Sequence, residues 1–194
     1  MTTRILGIDP GLTRCGIGLI ELGSSRKVTL VAVDTYRSEP SEELSTRVGR
    51  IGLQIEMLIE TEKPQVIAIE RVFSKQNVST VMGTAQISGA VLMLAHKHSI
   101  PVVMYTPTQV KAAVTGSGRA AKDQVGFMVA KILGLSEVPK PADAADSLAI
   151  AICQALKGSG LGSASAAKSN QDGATKAQQQ WAAAERAAKT SRSR

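Results

Sequence analysis

Rings are scarce in this 194-residue chain: two Phe, two Tyr and one Trp make up 3% of it. The core must therefore be built from aliphatic side chains, and a ring beside a polar cluster stands out. Only two cysteines, Cys15 and Cys153, are present. That excludes a disulfide framework or a four-thiolate zinc site and fits a reducing compartment, with both thiols read as small buried hydrophobes. No stretch reaches the ~18 uninterrupted apolar residues of a membrane span, and the Met1-Thr-Thr-Arg4 start lacks signal-peptide order. A cytoplasmic protein with no membrane partner is expected. Acid is also in deficit: 16 Asp and Glu face 23 Lys and Arg, for a net charge of +7 and a pI of about 9.6. Such a balance favours an anionic partner such as nucleic acid.

The excess charge sits at one end. Residues 157–194 carry seven Lys and Arg against two Asp and Glu, +5 in all, which leaves the body at +2. Leu161 and Trp181 are the only large apolar residues there, too little to offset the ordering entropy. The segment 158–194 is expected to be a disordered basic tail, its Ala-rich run 174–189 a marginal helix at best. Residues 1–157 are expected to fold as one domain that buries about 70% of its unfolded surface.

Within that body the apolar period changes in a definite order. Ile5–Ile8, Gly16–Leu22 and Val28–Tyr36 read as three closely spaced strands, hence an antiparallel meander. Leu44, Val48, Ile51, Ile55, Leu58 and Ile59 then recur at three- and four-residue steps, predicting a helix over 42–61 started by Ser41. After Pro64 come a strand at 65–69, a long small-residue helix at 78–98 and a strand at 101–105. Helices follow at 108–114, 122–133 and 142–156. Strands first and helices on both sides of later ones predict a mixed α/β sheet with helices on its faces.

Four carboxylates stand where apolar elements end. Asp9 follows Ile-Leu-Gly-Ile and Glu70 follows Val-Ile-Ala-Ile, both at C-terminal strand ends, where ligands collect in sheets with helical crossovers. Asp143 and Asp146, three apart, share one helix face. Plainer readings exist: Asp9-Pro10-Gly11 is also a turn, Asp143 an N-cap with Asp146 in the first turn, and Glu70 a partner for Arg71. Taken together the four support a hard-cation site, because Mg²⁺ takes oxygen ligands. Lys111 and Lys122 flank the flexible Thr115–Arg119 loop, which ends in Arg119, and suit a phosphate backbone, although taken alone the lysines read first as solvated surface. Phe73, three residues after Glu70, is placed to stack on an unpaired base or to pack in the core. His96 and His98 close the long helix, where imidazolium suits the dipole.

The wording around these acids is Gly7-Ile-Asp9-Pro-Gly11, Ala68-Ile-Glu70-Arg-Val-Phe73, Gln109-Val-Lys111 and Ala142-Asp143-Ala-Ala-Asp146-Ser-Leu-Ala149-Ile-Ala. In this order, over residues 4–156, it resembles the RuvC family of Holliday-junction resolvases. The resemblance implies a ribonuclease H-like mixed five-stranded sheet, an active homodimer, and the family's four carboxylates at Asp9, Glu70, Asp143 and Asp146. Some members carry His at the third of these; Asp143 matches the carboxylate form. It further implies two Mg²⁺ per subunit, with Mn²⁺ able to substitute, and DNA contacts by Phe73, Lys111, Lys122 and Arg119. The implied activity is paired, symmetric hydrolysis of four-way DNA junctions that leaves 5′-phosphate and 3′-hydroxyl ends, with a branch-migration motor complex as a further partner. The run Asp9-Pro-Gly-Leu-Thr13 also resembles the phosphate loop of actin-like ATPases and sugar kinases, but the body is too short for their second lobe. A ribonuclease H-like enzyme acting on RNA and a catalytically silent junction binder complete the alternatives.

Overall fold

Ile, Leu and Val dominate the early strands, and the structure, a computed structural model describing residues 2–71 and 78–158, joins them as expected. Strands β1 (Thr3–Asp9), β2 (Arg14–Leu22) and β3 (Val28–Arg37) form the antiparallel meander. Helix α1 (Leu44–Glu62) leads to β4 (Val66–Glu70), and α2 (Val78–Lys97) leads to β5 (Val102–Tyr105). Both strands add in parallel beside β1, giving the five-stranded order β3-β2-β1-β4-β5. Helices α3 (Pro107–Thr115), α4 (Lys122–Leu133) and α5 (Ala142–Lys157) close the body. These elements lie in one unit, 1–159. The tail expected to be disordered lies, beyond Gly158, outside the described residues.

Side chains alternate across the strands, so the sheet sorts its apolar residues onto two faces. Leu6, Ile8, Ile17, Leu19, Ile67 and Ile69 point to one face and bury Ile51, Ile55 and Ile59 of α1 with Ile87, Val91 and Leu94 of α2. Ile5, Ile20, Ala68 and Tyr105 point to the other, covered by α3, α4 and α5. Here Tyr105 Oη donates a 2.5 Å bond to Gln154 Oε1, which satisfies both buried polar groups. Helix α2 thus spends its apolar residues on its own sheet, while Met82, Leu92 and Met93 stay exposed.

Three glycines set how closely α5 lies. Gly7 pairs with Gly18 and Asp9 with Gly16 across β1 and β2, so all four share the α5 face. A Cβ at Gly18 would stand 2.7 Å from Leu148 N, and one at Gly7 would stand 2.7 Å from Ala151 N; one at Gly16 would meet the Asp143 carbonyl. The backbone of α5 therefore rests directly on the sheet.

Two local expectations are corrected. Ser41 does not start α1. Glu42 N donates to Glu39 O, Glu42 Oε2 accepts from Glu39 N at 3.1 Å, and this turn takes up Pro40 and Ser41 before Leu44 begins the helix. Nor is Asp143 an N-cap: Pro141 holds that position, leaving Asp143 inside the first turn of α5. Helix α3 begins with a complete capping box instead, in which Thr106 Oγ1 accepts from Gln109 N at 3.2 Å and Gln109 Oε1 accepts from Thr106 N at 2.9 Å. Among the described residues no helix is long and apolar enough to cross a membrane.

Candidate active site

Asp9 is the last residue of β1 and Glu70 the last of β4, and the parallel pairing Ile8↔Ile69 sets the two acids side by side. Both project to the α5 face, the direction shared by Gly7 and Ala68. Because glycines let α5 lie flat on the strands, its first turns bring Asp143 and Asp146 over the same sheet edge. Asp9, Glu70 and Asp146 line one cavity of about 330 Å³ with Lys111 from α3 and Lys122 from α4. Asp143 lines a second, of about 400 Å³, with Arg14 and Arg47. Lys122 Nζ lies 3.1 Å from Asp146 Oδ2, and Arg14 Nε lies 3.2 Å from Asp143 Oδ2.

The electrostatics show strain among the acids. Burial, then the charges of Glu70, Asp146 and Asp143, push the Asp9 carboxyl up to about 7 against a partial relief from Lys122. Glu70 is raised by burial and by Asp146, with Lys122 and Lys111 pulling the other way. The hydrogen bond and charge of Asp146 raise Lys122 in turn. A partly buried set of oxygen donors that resist sharing negative charge fits a hard divalent cation.

This carries a pH prediction. Asp9 titrates near 3.8 when unfolded and near 7 when folded, so the native state holds the extra proton between those values. Without metal, stability should fall as pH rises from about 4 through 7, by up to about 4 kcal/mol at full ionisation. Proton and cation compete for the same oxygens, so divalent-ion affinity should rise over that range and level off above it. Melting in EDTA at pH 5 and pH 8, for the native chain and Asp9→Asn, checks the sign. The native chain should lose ground to the variant at pH 8, and an equal difference at both pH values would contradict the assignment.

The remaining sequence candidates fare differently. Arg119 is exposed, its backbone N donating to Ser117 Oγ at 3.3 Å, and it lines neither cavity. Phe73 lies outside the described residues. His98 Nε2 lies 3.3 Å from Glu56 Oε1, and with Glu60 these groups place ligand atoms within 4.8 Å of one another. That group belongs to α1 and the end of α2, on the sheet face opposite the four acids, and Glu56 is already paired with Lys97 at 2.7 Å. Sequence reasoning missed Arg14 and Arg47. The signal for Arg14 was a cation five residues beyond the strand-end Asp9; Arg47, on α1, gave no local sign.

Comparison with known proteins agrees with this geometry. The family model described as crossover junction endodeoxyribonuclease RuvC matches residues 5–154. A protein of that name from Paenarthrobacter aurescens is 50% identical over 193 residues, spanning 99% of this chain and 100% of its own. One from Saccharopolyspora erythraea is 55% identical over 150 residues, 77% of this chain and 75% of its own. The solved Thermus thermophilus RuvC in complex with a Holliday junction substrate superposes with a TM-score of 0.76 at 36% identity, over 79% of this chain and 93% of that one. A sheet that sets Asp9 beside Glu70, a glycine-seated α5 that adds Asp143 and Asp146, and these matches place the chain in the RuvC family of crossover junction endodeoxyribonucleases.

Proposed function

We propose that this chain resolves four-way DNA junctions by metal-dependent phosphodiester hydrolysis at Asp9, Glu70, Asp143 and Asp146. The observation that carries the reading is the convergence of Asp9, Glu70 and Asp146 with two lysines on one cavity. The solved relative with a Holliday junction substrate supports the choice of DNA form. The four carboxylates would hold Mg²⁺, two ions per subunit, with Mn²⁺ able to substitute. Ions held there would supply water activation and leaving-oxygen stabilisation for an in-line displacement, which would give 5′-phosphate and 3′-hydroxyl ends. Lys111 and Lys122 draw a phosphate toward the acids, and the burial of Asp9 strengthens the charge interactions around it.

Paired cleavage of a two-fold junction needs two such sites, so a homodimer is part of the reading. Leu53 and Met57 of α1, with Met93 of α2, are exposed and offer an apolar surface for it. A branch-migration motor as a partner rests on family membership alone, and a cytoplasmic setting on the sequence features given above. Residues 1–157 are taken as the nuclease domain and 158–194 as an accessory basic tail. A chain ending at Lys157 is expected to keep its melting temperature and to cleave, with weaker junction affinity at low salt; a large loss of melting temperature would move the boundary.

The direct test incubates a synthetic four-way junction and a linear duplex with and without Mg²⁺. Nicking of the junction alone, and only with the ion, is expected. Equal cutting of duplex, or junction cutting in EDTA, would overturn the reading. The lysines carry a separate prediction. Each phosphate contact contributes about 0.9 to the slope of log affinity against log salt, so Lys111→Ala or Lys122→Ala should make that slope about one unit shallower. Unchanged slopes for both would make them ordinary surface lysines.

A further inference from the structure

Arg47 carries a charge for which the described residues supply no counter-ion. It is half-buried in the first turn of α1, where Nε donates to Ser38 Oγ at 3.0 Å and one terminal nitrogen donates to Thr13 Oγ1 at 2.9 Å. Both partners are neutral. Ser38 is itself buried and fixed, its Oγ donating to Leu12 O at 2.5 Å and its N to Thr13 O at 3.2 Å. The guanidinium is thus locked in orientation against the β1–β2 connection, with three of its five N–H donors unused by those bonds. Among the described residues no carboxylate lies within ion-pair distance of it. A half-buried guanidinium without an anion is costly unless a ligand supplies the charge.

A second guanidinium faces the same space. Arg14 lines the 400 Å³ cavity with Arg47, Thr13 and Asp143. Its side chain is 58% exposed and, among the described residues, pairs with Asp143 alone, so it can change partner. Two like charges turned toward one cavity, one of them clamped by neutral oxygens, select an anion with several acceptor oxygens. Forked guanidiniums suit a phosphate above a single carboxylate. Asp143 forms one wall of the cavity, so an anion bound there lies beside the acids, and Lys111 and Lys122 already serve the other side of the site.

We propose that Arg47, with Arg14 and Thr13, forms a subsite for a non-scissile backbone phosphate of the DNA, flanking the position that is cut. The proposal rests on the junction-cleaving reading above. Its role is positional: a second anchored phosphate fixes the strand's register over the carboxylates, which one contact at the lysines does not.

The test reads binding, with the full chain carrying Glu70→Gln so that the DNA stays intact. Four-way junctions bearing one neutral methylphosphonate are compared at successive positions around the cleavage point. One position away from the scissile phosphate should weaken binding about 10-fold. Adding Arg47→Ala should erase the penalty at that position and leave penalties elsewhere unchanged. A merely structural Arg47 would weaken every junction alike. Arg14→Gln, at an exposed side chain, repeats the measurement should Arg47→Ala fail to fold, and should reduce the penalty at the same position. Penalties that stay the same at every position in the Arg variants overturn the subsite and leave the junction reading intact. Absence of any junction binding in the Glu70→Gln background overturns both.

Discussion

Asp9→Asn is expected to lower junction cleavage by about 10³-fold or more, some 4 kcal/mol of transition-state stabilisation, while junction binding survives. Asn keeps the volume of Asp and removes the charge that a cation needs. Asp9 stands at the centre of the acids, the one carboxylate raised by all three others, so its loss weakens the whole set. Glu70→Gln should behave similarly, because its neighbour position on β4 is fixed by the same pairing. Binding should persist since the phosphate contacts come from other side chains. Near-normal cleavage by either variant with Mg²⁺ would remove these acids from the chemistry.

Gly18→Val is expected to be the most damaging change far from any charge. Valine suits a strand, so local propensity would favour it. Packing decides otherwise, because the new Cβ would stand 2.7 Å from Leu148 N and 2.9 Å from Leu148 Cα, backbone atoms of α5 that cannot rotate away. Forcing α5 outward should cost about 3 kcal/mol, or roughly 6–12 °C in melting temperature. It should also remove about 10²-fold or more of the cleavage rate, as Asp143 and Asp146 ride on that helix. Gly49→Ala makes the contrast. Its Cβ meets nothing within 4 Å, so this α1 variant should hold or gain stability, by about 0.5–1 kcal/mol. Equal melting temperatures for Gly18→Val and the native chain would contradict the seating of α5.

Much of this arrangement was legible in the residue order. Strand and helix periods located the ten elements of the described residues, because aliphatic runs of four or five and stripes at three and four are strong signals in a chain with few rings. Asp9 and Glu70 announced themselves by ending such runs, Asp143 and Asp146 by their three-residue spacing at a helix start. What the sequence did not reveal were facts of tertiary contact. Gly7, Gly16 and Gly18 read as ordinary strand glycines until α5 is seen against them. Ser41 looked like a helix start, since the turn between Glu39 and Glu42 that displaces it depends on the chain's exit from β3. Arg47 was hidden inside an amphipathic stripe, its meaning set by Thr13 and Ser38, which are 34 and nine residues away. The proposed subsite consequently has no sequence signature of its own.

The most direct test of the carboxylate site is a Mn²⁺ titration in which bound ion is counted by electron paramagnetic resonance while junction cleavage is followed in the same samples. Ions held elsewhere, for instance by Glu56, Glu60 and His98, remain in Asp9→Asn and are subtracted by running that variant alongside. The native chain should bind more ions than Asp9→Asn, and its cleavage should rise in step with that difference, while the variant stays inactive at every concentration. An equal ion count in the two proteins, or cleavage that proceeds undiminished in EDTA, would contradict it.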